Sequence, residues 1–219
     1  MPKLNELPEL TTLADDDLLL VWDKSANVTA KMQLSTLKSF LGTTNTTSST
    51  VKELAYSLDG DNNGLCYFLG TSKSVAAWRN PQNIDLAVTA SAIGAGSVES
   101  LIDRQASEFY TPSSADSWVK LTLFNGDLKC KYYSIRNRSS SDHYLRSWKL
   151  QGSNNDSNWV DIDVQINNTT LNNPSQWLSL PVTTTSTYKQ FRLLMTGQNS
   201  AGYSYLCIGE IELYGTYTY

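Results

Sequence analysis

The second half of the chain is a series of short segments in which apolar and polar residues alternate. The clearest runs from Trp118 to Phe124, and polar turn sequences such as 152–157 separate the segments. They cover residues 118–124, 131–136, 147–151, 159–164, 176–180, 188–195 and 207–214. Alternation with a period of two indicates strands with one buried face. The pattern predicts an all-β fold, an antiparallel jelly-roll β-sandwich.

Charge and hydropathy exclude several classes of protein. The net charge is −4 and the sequence pI is about 5.0, so we expect no nucleic-acid partner. No apolar run approaches the ~20 residues of a membrane span, so we expect no membrane insertion. Residues 1–6 contain no apolar signal core, which predicts synthesis in a cytoplasm without export by a signal peptide. Cys66, Cys130 and Cys207 are widely spaced and are predicted to be buried free thiols.

A polar stretch divides the chain. Residues 43–50 are all Ser, Thr or Asn, and we predict a linker over 43–52 between a segment at 1–42 and a domain at 53–219. The first segment reads as a β-hairpin, 18–22 with 28–32, followed by a short helix over 34–41. So small a unit buries little surface alone. Self-association, docking onto a larger assembly and packing on the second domain all remain open.

Three segments of the domain carry a family resemblance. Residues 144–153, followed by Asn158-Trp159-Val160, resemble the W-x-L-x-G-S-x-D-x-x-W core of discoidin, or coagulation factor V/VIII type C, domains. Residues 209–215 and 188–193 resemble the last two core strands of that fold. The resemblance covers roughly 70–217 and implies an eight-stranded galactose-binding-like jelly roll. Its relatives are mostly binding modules for glycans, lipids or proteins, and they include the family 32 carbohydrate-binding modules. Alternation places Trp148, Leu150 and Trp159 on one inward face.

The N-terminal segment carries a second resemblance. Residues 7–19 are similar to the L-P-x-x-T-T-L-A-D-x-D-L-L opening of many bacteriophage tail-fibre and virion-fibre proteins. There the opening segment attaches the fibre to the particle and is usually part of a trimer. The resemblance therefore implies attachment to other virion proteins, a homotrimer and a place on the virion surface.

The sequence does not point to catalysis. His143 is the one histidine, so a multi-histidine zinc site is excluded, and no G-x-S-x-G nucleophile motif accompanies it. Carboxylate pairs drawn from Glu99, Asp103 and Glu108 stay open, because sequence spacing does not give their separation. We predict no catalytic residues and no enzymatic activity.

Two loops offer the side chains that sugar sites use, an aromatic surface beside Arg, Asn and His donors. They are residues 136–144 and 197–205. By the resemblance we predict that Arg138, His143, Asn199 and Tyr203 bind the ligand. Arg136 and Tyr205 are assigned to the structural core or rim.

The same resemblance implies a structural calcium ion, because many relatives hold one with an early Asp-Gly-Asn/Asp loop and a late Glu. Asp103 and Glu210 occupy comparable places. The loop at 103–107 lacks the Gly and the second acid, which argues against the ion. The alternative for Glu210 is a structural hydrogen bond or ion pair; otherwise we expect no cofactor.

The combined interpretation is a non-catalytic bacteriophage fibre or adhesin that binds host cell-surface glycans through its discoidin-like domain. One alternative is a structural capsid, neck or tail decoration protein that binds other virion proteins. Another is a polysaccharide hydrolase or lyase, which would need an acidic cleft.

Overall fold

The computed structural model describes residues 18–23, 28–33, 49–105, 107–140 and 142–219. The chain divides between Ser49 and Thr50 into two units. In the first, β1 (Leu18–Asp23) pairs antiparallel with β2 (Val28–Gln33). This is the predicted hairpin. The predicted helix over 34–41 lies outside the described residues.

The second unit is built from two antiparallel sheets. The strands are β3 (Val51–Leu54), β4 (Leu86–Ala90), β5 (Trp118–Leu123), β6 (Asp127–Arg136), β7 (Trp148–Ser153), β8 (Val160–Gln165), β9 (Trp177–Pro181), β10 (Gln190–Met195) and β11 (Glu210–Thr218). One sheet has the strand order β4-β5-β10-β7-β8 and the other β3-β11-β6-β9. A helix α1 (Leu65–Gly70) and a 3₁₀ helix (Val98–Ile102) complete the unit.

This architecture confirms the predicted antiparallel β-sandwich. Strands that are neighbours in a sheet are mostly distant in sequence, as in a jelly roll. The resemblance implied eight strands, and the described part of this unit has nine. Val51 and Lys52 lie in β3, although the prediction assigned them to the linker. The remaining domain boundaries stay a prediction.

The core lies between the two sheets, where alternate residues point inward. In β5 the buried residues are Val119, Leu121 and Leu123, as the alternation predicts. Trp148 is fully buried, and its indole N–H donates a 2.8 Å hydrogen bond to the hydroxyl of Tyr133. The apolar core therefore contains one polar contact in which the buried indole N–H has a hydrogen-bond partner.

The prediction that Trp159 faces the core is wrong. Trp148 and Leu150 are buried as predicted, but Trp159 is only half-buried. The guanidinium of Arg192 lies 4.2 Å from the centre of its ring. Because β10 buries the residues on either side of Arg192, this contact lies on the outer face of the five-stranded sheet. Trp159 precedes β8, so the alternation of β7 does not extend to it.

The three cysteines are free and buried, as predicted. Burial raises the pKa of Cys130 to about 12, so this thiol stays protonated at neutral pH. Within the described ranges, no helix has the length and hydropathy that crossing a bilayer requires.

Gly215 lies at an irregularity in the pairing of β11 with β6. Its φ is +147°, and a Cβ at this position would lie 2.0 Å from the carbonyl oxygen of Lys129. We expect Gly215→Ala to lower the free energy of unfolding by about 1–3 kcal/mol, because the backbone must shift or strain. Urea denaturation measures this loss. Gly202→Ala is the control, since Gly202 also has a positive φ but has nothing within 4 Å of its Cβ position. Equal losses in the two variants would contradict the role of the close contact.

Candidate functional site

A cavity of about 270 Å³ opens where β6 ends and β11 begins. Its lining residues are Tyr110, Arg138, His143, Tyr205 and Cys207. They come from three segments: the stretch before β5, the loop after β6 and the loop before β11. The antiparallel pairing of Glu210 with Arg136 places the last two side by side. The sheet register, rather than closeness in sequence, therefore assembles the cavity.

Arg138 is the central polar group of this cavity. Its Nη1 donates to Oε2 of Glu108 at 3.1 Å, and its Nη2 lies 3.4 Å from Oδ1 of Asp142 and 3.3 Å from Nδ1 of His143. The guanidinium also lies 5.6 Å from the ring centre of Tyr110. The side chain is only 13% exposed, so these neighbours fix its orientation. Within the described residues, its buried Nε has no hydrogen-bond partner.

Glu108 holds Arg138 and the adjacent loop in place. Its Oε1 accepts hydrogen bonds from Oγ of Ser139 and from the backbone N–H of Ser140, at 2.9 and 2.8 Å. Burial raises the pKa of this carboxyl, but the bonds from Ser140 and Ser139 and the charge of Arg138 outweigh burial and lower it overall. Glu108 is therefore ionised at neutral pH. In the sequence Glu108 is one of several carboxylates without distinguishing context, and no sequence signal connects it to Arg138.

His143 lies in a strained part of its loop. Asp142 and His143 have φ values of +71° and +57°, a left-handed conformation that is uncommon outside glycine. The Nδ1 of His143 is hydrogen-bonded to Oδ1 of Asp142 and lies near Arg138. Among the described residues, every hydrogen bond of this ring uses Nδ1, which leaves Nε2 for a ligand. Backbone strain of this kind concentrates where side-chain placement serves a function.

Aromatic rings form one wall of the cavity. Tyr205 lies 6.0 Å from Tyr110, 5.6 Å from His143 and 5.4 Å from Tyr203, measured between ring centres. Tyr203 is 51% exposed and lies 5.5 Å from the His143 ring. The predicted residues Arg138, His143 and Tyr203 are thus brought together. The prediction missed Tyr110 and Cys207, which lie outside the two polar loops, and assigned Tyr205 to the structural core or rim.

The structure gives Asn199 a different role from the predicted contact with ligand. Its side chain is buried, and its Oδ1 accepts the backbone N–H groups of Ala201 and Tyr203 at 3.0 and 3.2 Å. Its Nδ2 donates to the carbonyl of Tyr205 at 3.2 Å. The amide is occupied within its own loop. Asn199 therefore positions Tyr203 and Tyr205.

The predicted metal ligands Asp103 and Glu210 have other partners. The carboxylate of Asp103 accepts the backbone N–H of Gln105 and the Oγ of Ser107, both at 2.8 Å. Oε2 of Glu210 lies 3.7 Å from Nη1 of Arg136, so its nearest cationic partner is a side chain of the protein. Across the described parts of the chain, no three His, Cys, Asp or Glu side chains are grouped as a metal site requires. These contacts do not fit a calcium ion held by Asp103 and Glu210.

Glu210 is nevertheless an unusual carboxyl. It is almost fully buried, and its Oε2 has no hydrogen-bond partner among the described residues. Burial and then the nearby Glu212 raise the pKa of Glu210 to about 8, although Arg104 and Arg136 act in the opposite direction. Two cationic side chains therefore supply the positive charge around this carboxyl.

The cavity combines hydrogen-bond donors with aromatic surface. Arg138 provides N–H groups, His143 provides Nε2 as an acceptor, and the tyrosines provide flat faces and hydroxyls. One guanidinium lies between the carboxylates of Glu108 and Asp142, so the local charge is not positive. Such a site suits an uncharged ligand that carries several hydroxyl groups.

Comparisons with known proteins begin with the sequence. No family model matches the chain. It is 31% identical over 183 residues to a BTB/POZ domain-containing protein of Arabidopsis thaliana, a match that covers 76% of this chain and 22% of that protein. It is 29% identical over 172 residues to the E3 ubiquitin-protein ligase hecd-1 of Caenorhabditis elegans, covering 74% and 6%. The chain thus spans less than a quarter of the length of these curated relatives.

Solved structures show the same fold. The third family 32 carbohydrate-binding module of a family 31 glycoside hydrolase from Clostridium perfringens matches with a TM-score of 0.53 and 14% identity, over 73% of this chain and 99% of that one. Another module from C. perfringens, solved with GalNAc-β-1,3-galactose, matches with a TM-score of 0.50 and 13% identity, over 59% and 95%. The second unit therefore has the galactose-binding-like β-sandwich fold that the resemblance implied.

Proposed function

We propose that this protein binds neutral sugar residues of glycans in the cavity around Arg138, without chemical conversion. One observation carries the proposal. Arg138 is held by Glu108 beside His143, within a wall of tyrosines that ends in the exposed Tyr203. Fixed donors next to an exposed aromatic face are what a shallow sugar site requires.

The chemistry of recognition follows from these groups. The N–H groups of Arg138 donate to sugar hydroxyls, and the free Nε2 of His143 accepts from one, because the Nδ1 of this ring donates to Asp142. The face of Tyr203 packs on the C–H groups of the sugar ring. The similar module from C. perfringens was solved with GalNAc-β-1,3-galactose, which supports a sugar ligand for this fold.

The charges around Arg138 favour neutral over acidic sugars. Glu108 and Asp142 lie 3.1 and 3.4 Å from the guanidinium nitrogens and already compensate its charge. A carboxylate on the sugar would face both of them at close range, where like charges repel. Galactose and N-acetylgalactosamine should therefore bind more tightly than galacturonic acid.

We also propose the biological setting that residues 7–19 suggest, a bacteriophage fibre whose N-terminal segment attaches a homotrimer to the virion surface. This part is based on sequence resemblance alone. Its physical consequence is avidity, since linked weak sites gain ~10²–10⁴ in effective affinity. A decoration protein that binds other virion proteins is the competing interpretation, and it predicts no sugar binding at all.

Isothermal titration of the full-length protein with galactose, N-acetylgalactosamine and galacturonic acid tests the site. Tyr203→Ala should weaken binding of the neutral sugars about three- to tenfold, because the stacking surface is lost. Phe124→Ala is a matched control, since Phe124 is 49% exposed and lies outside the cavity. If no neutral sugar binds, or if both variants lose affinity equally, the proposal is wrong.

A further inference from the structure

We propose that the guanidinium of Arg104 is a built-in cation, which takes the structural place of the divalent ion that the discoidin resemblance implies. The cation would join the loop after the 3₁₀ helix to the loop before α1. This inference concerns stability and metal dependence, and it does not depend on the proposed sugar binding.

The contacts of Arg104 resemble those of a small hard cation. Its Nη2 donates to the carbonyl oxygens of Gly60 and Asp61 at 3.1 and 3.2 Å, and to Oδ1 of Asn62 at 2.7 Å. Backbone carbonyls and amide oxygens are the neutral ligands that calcium takes in proteins. Here one nitrogen of a side chain occupies three such oxygens together.

Further groups complete the surroundings of this guanidinium. Its central carbon lies 4.7 Å from the ring centre of Tyr67, a cation–π contact on the first turn of α1. Its charge also acts on the buried Glu210 and lowers the pKa of that carboxyl against the effect of burial. Arg104 therefore provides positive charge to neutral oxygens, an aromatic face and a nearby acid.

The backbone of Arg104 is strained in this placement. Its φ is +67°, in the left-handed region where the resemblance predicts a glycine. The side chain of Asp103 closes the turn through Gln105 and Ser107 instead of pointing its free oxygens at an ion. A strained non-glycine residue persists where its side-chain contacts compensate for the strain.

The joined loop leads into the candidate cavity. Only a few residues separate Arg104 from Glu108, which holds Arg138, and from Tyr110, which lines the cavity. Because the guanidinium already occupies the oxygens of Gly60, Asp61 and Asn62, the fold should need no added metal.

Thermal unfolding of the full-length protein without sugar tests the inference. We expect the same Tm in excess calcium chloride and in excess EDTA, because the oxygens are already occupied. Arg104→Met should lower the Tm by about 4–10 °C, since several hydrogen bonds to a charged group are lost. Arg104→Gly should also lower it, although glycine relieves the strained backbone. Lys189→Met removes an exposed positive charge and should leave the Tm unchanged.

Two results would overturn the inference. One is a Tm that rises with calcium or falls with EDTA in the unaltered protein, which would show a bound divalent ion. The other is a Tm for Arg104→Met or Arg104→Gly equal to that of Lys189→Met. The chelator experiment needs no variant, so it tests for a bound divalent ion even if Arg104→Met does not fold, and Arg104→Gly then tests the contribution of the side chain. Because no sugar is present, none of these results bears on the proposed function.

Discussion

Arg138→Met is expected to weaken binding of neutral sugars by about 10- to 100-fold. The change removes the central donor of the cavity, and hydrogen bonds to charged groups contribute about 1.5–3 kcal/mol each. It also leaves Glu108 and Asp142 without the cation that compensates them. Isothermal titration of the full-length variant with galactose measures the loss.

Glu108→Gln separates this binding effect from a general loss of structure. The amide keeps the shape of the side chain but weakens its hold on Arg138 and on the backbone of Ser140. We expect an intermediate loss of affinity, with a thermal unfolding profile close to that of the unaltered protein. If the Arg138→Met variant folds and binds galactose within twofold of the original affinity, the ligand does not contact Arg138.

Trp148→Ala is expected to lower the free energy of unfolding by about 3–5 kcal/mol, as for large aromatic residues removed from a core. Trp148 is fully buried, so its loss creates a cavity in the core. The loss also removes the indole N–H that donates to the hydroxyl of Tyr133. That hydroxyl still donates to Asp163 at 2.6 Å. Urea denaturation followed by circular dichroism measures the change.

Trp159→Ala is the matched control for Trp148→Ala. Trp159 is the same residue type but lies half-buried on Arg192, outside the core. Its loss should cost about 0.5–1 kcal/mol, the contribution of a partly exposed cation–π contact. Equal destabilisation by the two changes would contradict the assignment of the two tryptophans to different faces.

The sequence predicted those strands in which one face is apolar and the other polar. β5, β7 and β8 lie within one or two residues of the predicted segments. In β5 the alternation reflects burial on one face, whereas Val160 and Val164 of β8 are exposed. β3 was missed because it is a sheet edge in which only Leu54 is buried. β4 was missed because one of its outward positions holds the small apolar Ala87, which weakens the contrast between the faces.

The candidate site was predictable only where its residues share a loop. Arg138 and His143 follow one strand, and polar loop composition together with the family resemblance selected them. Glu108 and Tyr110 are about 30 residues away and reach the cavity through tertiary folding, which sequence spacing does not encode. Asn199 was selected by residue type, but its amide is consumed by its own turn.

An NMR titration of the ¹⁵N-labelled full-length protein with galactose tests the central claim most directly. We predict saturable shifts of backbone amide signals confined to the residues around the cavity: Tyr110, Arg138, His143, Tyr203 and Tyr205. Galacturonic acid at the same concentration should produce smaller shifts. Unchanged spectra at high galactose concentration would contradict the account, as would shifts centred on the outer face of the five-stranded sheet around Trp159.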